Sequence, residues 1–218
     1  MGPAASAGSK NDRVVSLIIK RLFDVLVSII ALVILTAPFL IIAIVIRLDS
    51  RGPVFFRQER MGKDARPFTI IKFRTIEVGV ETYRMYIESD NPNITTLGHS
   101  LRRWGVDELP QLINVVKGQM SIVGPRPIMR YHVEMFDEIE MQRLHVKPGL
   151  TGWAQVNGRN KLNWQQKIPL DIWYVRNWSL CLDAKILILT PMALLRKDFA
   201  YADDVTKDKF GPTSGGVR

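Results

Sequence analysis

The longest apolar run in the chain, residues 25–46 (VLVSIIALVILTAPFLIIAIVI), holds 22 positions without a charge. A helix of that length spans a bilayer core of about 30 Å. The run is too long for a signal-peptide core and lacks an A-x-A cleavage site, so it reads as a retained membrane helix. Pro38 lies inside it. Proline has no N–H and crowds the preceding turn, so a kink or break is expected there, with Thr36 near enough to satisfy a freed carbonyl. Lys20 and Arg21 precede the run and Arg47 and Arg51 follow it. Positive residues at both ends hold both ends on the cytoplasmic side. A re-entrant helix broken at Pro38 satisfies both features, and a kinked single span remains the alternative.

Beyond this run the apolar pattern shortens and changes period. Residues 53–58 and 67–74 are rich in Phe, Val, Ile and Thr and are separated by Gly62-Lys63-Asp64. They predict a β-hairpin. Short helices are expected over 79–88, stopped by Ser89-Asp90-Asn91-Pro92, and over 95–104. Leu109, Leu112, Ile113 and Val116 recur at i, i+3, i+4 and i+7, which predicts a helix over 107–117 with Asp107 as N-cap and Lys117-Gly118 as its end. A further helix is expected over about 129–144, then an ordered loop over 147–160 anchored by Trp153. Two apolar-rich helices follow, about 169–177 and 182–196, the second either core or interfacial. Trp164, Trp173, Tyr174 and Trp178 suit a headgroup-level belt or an ordinary core equally.

The fold class that follows is α+β and mainly helical, with a re-entrant N-terminal membrane helix broken at Pro38, a small β-hairpin and interfacial amphipathic helices. Residues 1–13 are expected to be a tag or disordered start, 14–48 the membrane helix, 49–202 a cytoplasmic interfacial domain and 203–218 a polar tail. The 218 residues allow one domain plus an appendage.

Charge narrows the partners. Lys and Arg number 30 against 21 Asp and Glu, a net +9, which favours an anionic partner. Between Arg47 and Arg74 eight cations oppose three acids, beside the apolar run. Anionic lipid headgroups or phosphates fit this stretch, as does a merely solvated basic face. A nucleic-acid partner is disfavoured, because no nucleic-acid motif accompanies the charge. Cys181 is the single cysteine, so neither an internal disulfide nor a cysteine metal cage is possible.

The chemistry concentrates in one stretch, Arg102-Arg103-Trp104-Gly105-Val106-Asp107-Glu108-Leu109-Pro110. Two adjacent carboxylates follow two arginines at a helix start, where free N–H groups and the helix dipole favour anions. Asp107 there is expected to stay ionised and to act as a nucleophile toward a bound phosphate, or simply to cap the helix. Capping and attack compete for the same oxygens. Glu108 is a candidate for metal coordination or proton handling, and Mg²⁺ held by Asp107 and Glu108 would neutralise a diphosphate. Arg126, flanked by Pro125 and Pro127, is a stiffly presented guanidinium suited to phosphate. Lys72 and Arg74 are two apart on one strand and share a face, where they grip an anion or are solvated. His99, His132 and His145 have no ligand spacing, and no G-x-x-x-x-G-K, G-x-G-x-x-G, H-E-x-x-H, C-x-x-C or D-x-D element occurs.

With these residues assembled, the chain resembles the bacterial sugar transferases, specifically the small monotopic phosphoglycosyltransferases that start glycan assembly on a polyprenyl phosphate. The resemblance rests on Lys20-Arg21-Leu22-Phe23-Asp24, Pro38, Lys72-Phe73-Arg74-Thr75 and Leu101-Arg102-Arg103. It continues through Asp107-Glu108-Leu109-Pro110-Gln111-Leu112, Gly124-Pro125-Arg126-Pro127 and the run from Pro148 to Asn160. It departs where the family has Ser-Pro, here Ala37-Pro38, and where the family has Met, here Ile76. The resemblance implies a re-entrant helix and a catalytic domain on the cytoplasmic face of the bacterial inner membrane. It implies transfer of a sugar-1-phosphate from a UDP-sugar, with an N-acetylated hexosamine preferred, to polyprenyl (undecaprenyl) phosphate. UMP is released, and a covalent intermediate on Asp107 is formed. It also implies Glu108 as the dyad partner, Arg102 and Arg126 on substrate phosphates, and Mg²⁺ as cofactor. Gln155 and Arg159 either bind sugar or nucleotide or hold their loop. The competing readings are a membrane-anchored basic scaffold without catalysis and a glycosyltransferase releasing UDP. Oligomeric state is not legible.

Overall fold

The structure is a computed structural model and describes residues 10–79, 92–158 and 161–195. Helix α1 (Lys10–Asp49) comes first, followed by strands β1 (Phe55–Met61) and β2 (Pro67–Phe73), then α2 (Thr96–Trp104). A 3-10 helix at Val106–Gln111 runs directly into α3 (Leu112–Val116), and β3 (Ser121–Val123) and α4 (Arg130–Val133) follow. The remainder is β4 (Gly149–Thr151), α5 (Trp153–Val156), α6 (Trp164–Asn177) and α7 (Leu180–Leu195). The protein is mainly helical, as expected. The helix expected over 79–88 and the tail at 203–218 lie outside the described residues.

α1 begins at Lys10, four residues before the boundary expected at 14, and its helical backbone continues through Pro38. The helical assignment thus runs unbroken through the position at which a kink or break is expected. One proline removes one i→i−4 bond, and the flanking turns keep theirs. Thr36 Oγ1 donates to the Leu32 carbonyl at 2.8 Å, not to that of Ile34, which loses its donor to Pro38.

α1 docks on the rest of the protein on both sides of this proline. Lys20 Nζ donates to Asp183 at 2.6 Å and to the Val123 carbonyl at 3.0 Å. Arg21 donates to the last carbonyls of α3, those of Val115 and Val116. Asp24 accepts from Ser121 Oγ and the Ile122 N–H. Further along, Phe39, Ile42 and Ile46 pack with Phe73 and Leu101. Between these two docked parts, Ile29, Ile30, Val33 and Ile34 are exposed.

β1 and β2 form the expected antiparallel hairpin, with Phe56 opposite Lys72 and Arg60 opposite Phe68. Its turn holds Asp64 and Ala65 at positive φ. Phe68 and Ile70 enter the central core with Val115, Met120, Ile122, Tyr174 and Ile186. A second sheet is the short parallel pair β3–β4, whose second strand falls in the stretch expected as a loop over 147–160. Gly124 and Gly149 allow the two backbones to touch, since a Cβ on Gly149 would collide with the Gly124 backbone. The helix expected over 129–144 is instead α4 and a separate 3-10 helix at Glu140–His145. Asp137 and Glu140 explain the restart. The Asp137 carboxylate accepts from the Glu140 N–H and the Glu140 carboxylate from the Asp137 N–H, a reciprocal pair that fixes the turn leading into the 3-10 helix.

Candidate active site

Helix α2 is capped at its start by Thr95, whose hydroxyl accepts from the Gly98 N–H, and ends on Gly105 in the left-handed conformation, φ 67°. A residue without Cβ adopts that conformation at little cost. Gly105 is also the N-cap of the 3-10 helix at Val106–Gln111. The cap position therefore belongs to Gly105, and Asp107 lies one residue inside the helix, contrary to its expected place as N-cap. The competition between capping and attack is thereby removed. The Asp107 carboxylate makes no hydrogen bond and no ion pair among the described residues, although the residue is only 7% exposed.

Glu108, next in sequence, is held firmly. Arg126 donates to it through two nitrogens, Nη1 to Oε2 at 3.0 Å and Nη2 to Oε1 at 2.6 Å. Lys72 Nζ donates to the same Oε1 at 2.6 Å. Burial pushes the Glu108 carboxyl upward, but the Arg126 guanidinium and the Lys72 ammonium outweigh it and hold the group well below the usual range. Asp107 has no such clamp. Burial first, then the Glu108 charge, raise it to about 6 against the pull of Lys72, Arg102 and Arg126. Its expected full ionisation at the helix start gives way to desolvation, yet at neutral pH the carboxylate form still dominates.

Arg102, in the last turn of α2, donates from Nε to Thr75 Oγ1 at 2.8 Å and lies within charge range of Asp107. Thus Lys72, Arg102, Asp107, Glu108 and Arg126, from β2, α2, the 3-10 helix and the Gly124-Pro125-Arg126-Pro127 loop, form one group. Sequence reasoning missed Thr75 as the support for Arg102, although it is adjacent to the Lys72-Phe73-Arg74 run. It also missed Arg143, whose Nη2 donates to the Arg126 carbonyl at 3.2 Å and pairs with Asp171 at 2.5 Å.

Arg74 stands apart from this group. Its guanidinium donates to the carbonyls of Pro53 and Arg51 and to those of Ser50 and Ile46 at the end of α1. The shared strand face expected for Lys72 and Arg74 is not formed, because β2 ends at Phe73 and Arg74 is drawn to the helix C-terminus. Gln155 on α5 buries both amide atoms without a partner and sits against Gly152, behind the Gly124 loop, with no hydrogen bond to Asp107 or Glu108. Arg159 lies outside the described residues.

The donor set accommodates a hard cation in one way. Asp107 offers an open carboxylate, and Glu108 Oε2 accepts one hydrogen bond and retains acceptor capacity. No cluster of three or more His, Cys, Asp or Glu that could hold a metal occurs among the described residues. A magnesium ion fits here only as one that takes most of its oxygens from phosphate and water, a common arrangement for Mg²⁺.

Residues 15–197 match the protein family described as Bacterial sugar transferase. The chain is 42% identical over 195 residues to the uncharacterized sugar transferase EpsL of Bacillus subtilis (strain 168), covering 89% of this chain and 96% of that protein. It is 42% identical over 192 residues to a UDP-glucose:undecaprenyl-phosphate glucose-1-phosphate transferase of Xanthomonas campestris pv. campestris, covering 84% of this chain and 40% of that protein. It is 37% identical over 199 residues to a UDP-galactose-lipid carrier transferase of Erwinia amylovora, covering 84% of this chain and 42% of that protein. The chain thus spans nearly all of the first relative and about two fifths of the other two.

Proposed function

The chain belongs to the bacterial sugar transferase family, and from that premise we propose that it moves a sugar-1-phosphate from a UDP-sugar to polyprenyl phosphate and releases UMP. One observation carries the reading: a buried carboxylate with no partner, Asp107, beside a carboxylate clamped by two cations, Glu108. An open carboxylate next to concentrated positive charge is arranged to attack phosphorus.

An Asp107 oxygen attacks the phosphorus that bears the sugar, and the bond from that phosphorus to the bridging oxygen breaks. That oxygen and its electron pair leave with UMP. An oxygen of polyprenyl phosphate then attacks the same phosphorus, the bond to Asp107 breaks, and a polyprenyl-diphosphate sugar forms. Lys72, Arg102 and Arg126 offset charge on the phosphate oxygens during both displacements. Glu108 holds Lys72 and Arg126 in place. A bound Mg²⁺ at Asp107 and Glu108 would supply further neutralisation of the diphosphate.

The site serves a lipid acceptor because of α1. This helix is long and apolar enough to cross a membrane, and it docks on the catalytic body before and after the exposed stretch around Val33 and Ile34. Docking at both ends supports a re-entrant path with the active site at the cytoplasmic headgroup level, in contact with anionic lipid. The relatives' names favour UDP-glucose and UDP-galactose as first donors to test, ahead of the N-acetylated hexosamine expected from the sequence.

The test is nucleotide release by protein in detergent or lipid with polyprenyl phosphate, Mg²⁺ and a panel of UDP-sugars. UMP from the native protein and none from Asp107→Asn is the expected result. UDP would indicate a glycosyltransferase, and no nucleotide from a broad panel would favour a scaffold.

A further inference from the structure

Arg60 is a buried guanidinium at the edge of the site, only 9% exposed. Its Nη2 donates to Gln58 Oε1 at 2.6 Å, and its Nε has no hydrogen-bond partner. No carboxylate pairs with it among the described residues. Burying an arginine against a neutral amide leaves its charge uncompensated, which is costly unless an anion completes the arrangement.

Its surroundings point the same way. In the hairpin register Gln58, Arg60 and Lys72 lie on one face, because Phe56 opposes Lys72 and each step of two residues keeps the side. Lys72 on that face reaches Glu108. The end of β1 is fastened two residues beyond Arg126, where the Met61 N–H donates to the Ile128 carbonyl at 2.8 Å. Arg60 accordingly lies within charge range of Arg126, Tyr131 and Glu108, and burial together with the like charge of Arg126 lowers its guanidinium to about 10. Around the two carboxylates, Lys72, Arg102, Arg126 and Arg60 leave a surplus of two positive charges. A phosphate or diphosphate dianion matches that surplus.

Resting on the sugar-phosphate transfer reading, we propose that Arg60 is a second phosphate-binding arginine, gripping a phosphate group of a substrate together with Arg126. A planar guanidinium with an unmatched Nε offers the paired donors that phosphate oxygens take. The phosphate belongs either to the nucleotide donor or to the lipid acceptor.

The experiment uses the full chain in detergent, with Arg60→Gln, Arg60→Met and, as control, Arg57→Gln. Arg57 is exposed on the same strand, so its loss removes equal charge from the other face. Thermal unfolding selects the folded variants, and Met retains the apolar stem if Gln does not fold. Titration calorimetry with inorganic pyrophosphate is the direct probe. Loss of a charge-assisted contact should weaken pyrophosphate binding by roughly tenfold or more in the Arg60 variants and not in Arg57→Gln. A matching rise in KM for the UDP-sugar assigns Arg60 to the donor, and a rise in KM for polyprenyl phosphate assigns it to the acceptor. Unchanged pyrophosphate affinity in a folded Arg60 variant overturns the proposal. The parent reading is judged separately by the nucleotide that the native protein releases. UDP in place of UMP, with pyrophosphate binding still dependent on Arg60, would overturn that reading and leave the anion site standing.

Discussion

At the residue scale, the two adjacent carboxylates have opposite environments and therefore opposite expectations. Asp107 is raised to about 6, so the rate of UMP release at low donor concentration should climb with pH to about 6 and then level. A pH–rate profile checks this, and a flat profile between pH 5 and 7 would contradict it. The same shift has a stability sign. The folded state holds the Asp107 proton more tightly than the unfolded chain, so stability falls as pH rises from about 4 through 6. Above that, the buried charge costs on the order of 3 kcal/mol. Asp107→Asn should thus raise the unfolding midpoint at pH 7.5, leave it nearly unchanged at pH 4, and abolish turnover at both. Glu108→Gln should do the reverse to stability, because it strips Lys72 and Arg126 of their carboxylate. A loss of about 2 kcal/mol is expected by denaturant titration, less than for a fully enclosed pair because Arg126 is 40% exposed. The grip of Arg126 and Lys72 on Glu108 joins segments far apart in the chain and could not be read, whereas the adjacency of Asp107 and Glu108 was legible in the sequence. The identity of the cap was not, because Asp and Gly both suit that position and only backbone geometry separates them.

At the element scale, what could be read depended on length and period. The hairpin was legible because two runs rich in Phe, Val, Ile and Thr flank Gly62-Lys63-Asp64, and α2 was legible as a short segment after the Ser89-Asp90-Asn91-Pro92 stop. The parallel pair β3–β4 was not, since three residues are too few to show a period and the pairing joins segments far apart in sequence. Residues 129–144 carry enough helix formers to suggest one helix, and the reciprocal Asp137–Glu140 bonds that divide them are visible only as a local spacing. The short pair matters for the site because it holds the loop bearing Arg126. Gly149→Ala would drive a Cβ into the Gly124 backbone. Folded protein should be recovered in much lower yield, and what folds should release UMP more slowly. Asp24→Leu tests the other join, between α1 and β3. It leaves Ser121 Oγ and the Ile122 N–H without their acceptor, at about 1–3 kcal/mol for each group left unsatisfied. An unchanged unfolding midpoint in micelles of fixed composition would show that α1 is not coupled to the body there.

At the scale of the whole molecule, α1 contributes an exposed apolar surface that includes Leu22, Leu26, Ile30, Val33, Leu40 and Ile44. Contiguous exposed apolar surface of that kind marks a membrane or partner contact, and the length of α1 favours the membrane. The protein should therefore remain with membranes after a high-salt wash and leave them only in detergent. Release by salt alone would mean that the basic stretch, not the helix, holds it there. The anchor and the catalytic body are nonetheless one folded unit. Lys20 near the beginning pairs with Asp183 near the end, 163 positions later, and Tyr174 and Trp178 close around the same carboxylate. A ribosome adds roughly 5–20 residues per second, so the newly made helix waits about ten to thirty seconds for Asp183. During that interval Lys20 lacks this acid, while Arg21 and Asp24 can already meet Val115, Val116, Ser121 and Ile122, so the Lys20–Asp183 pair is the last of these joins to close.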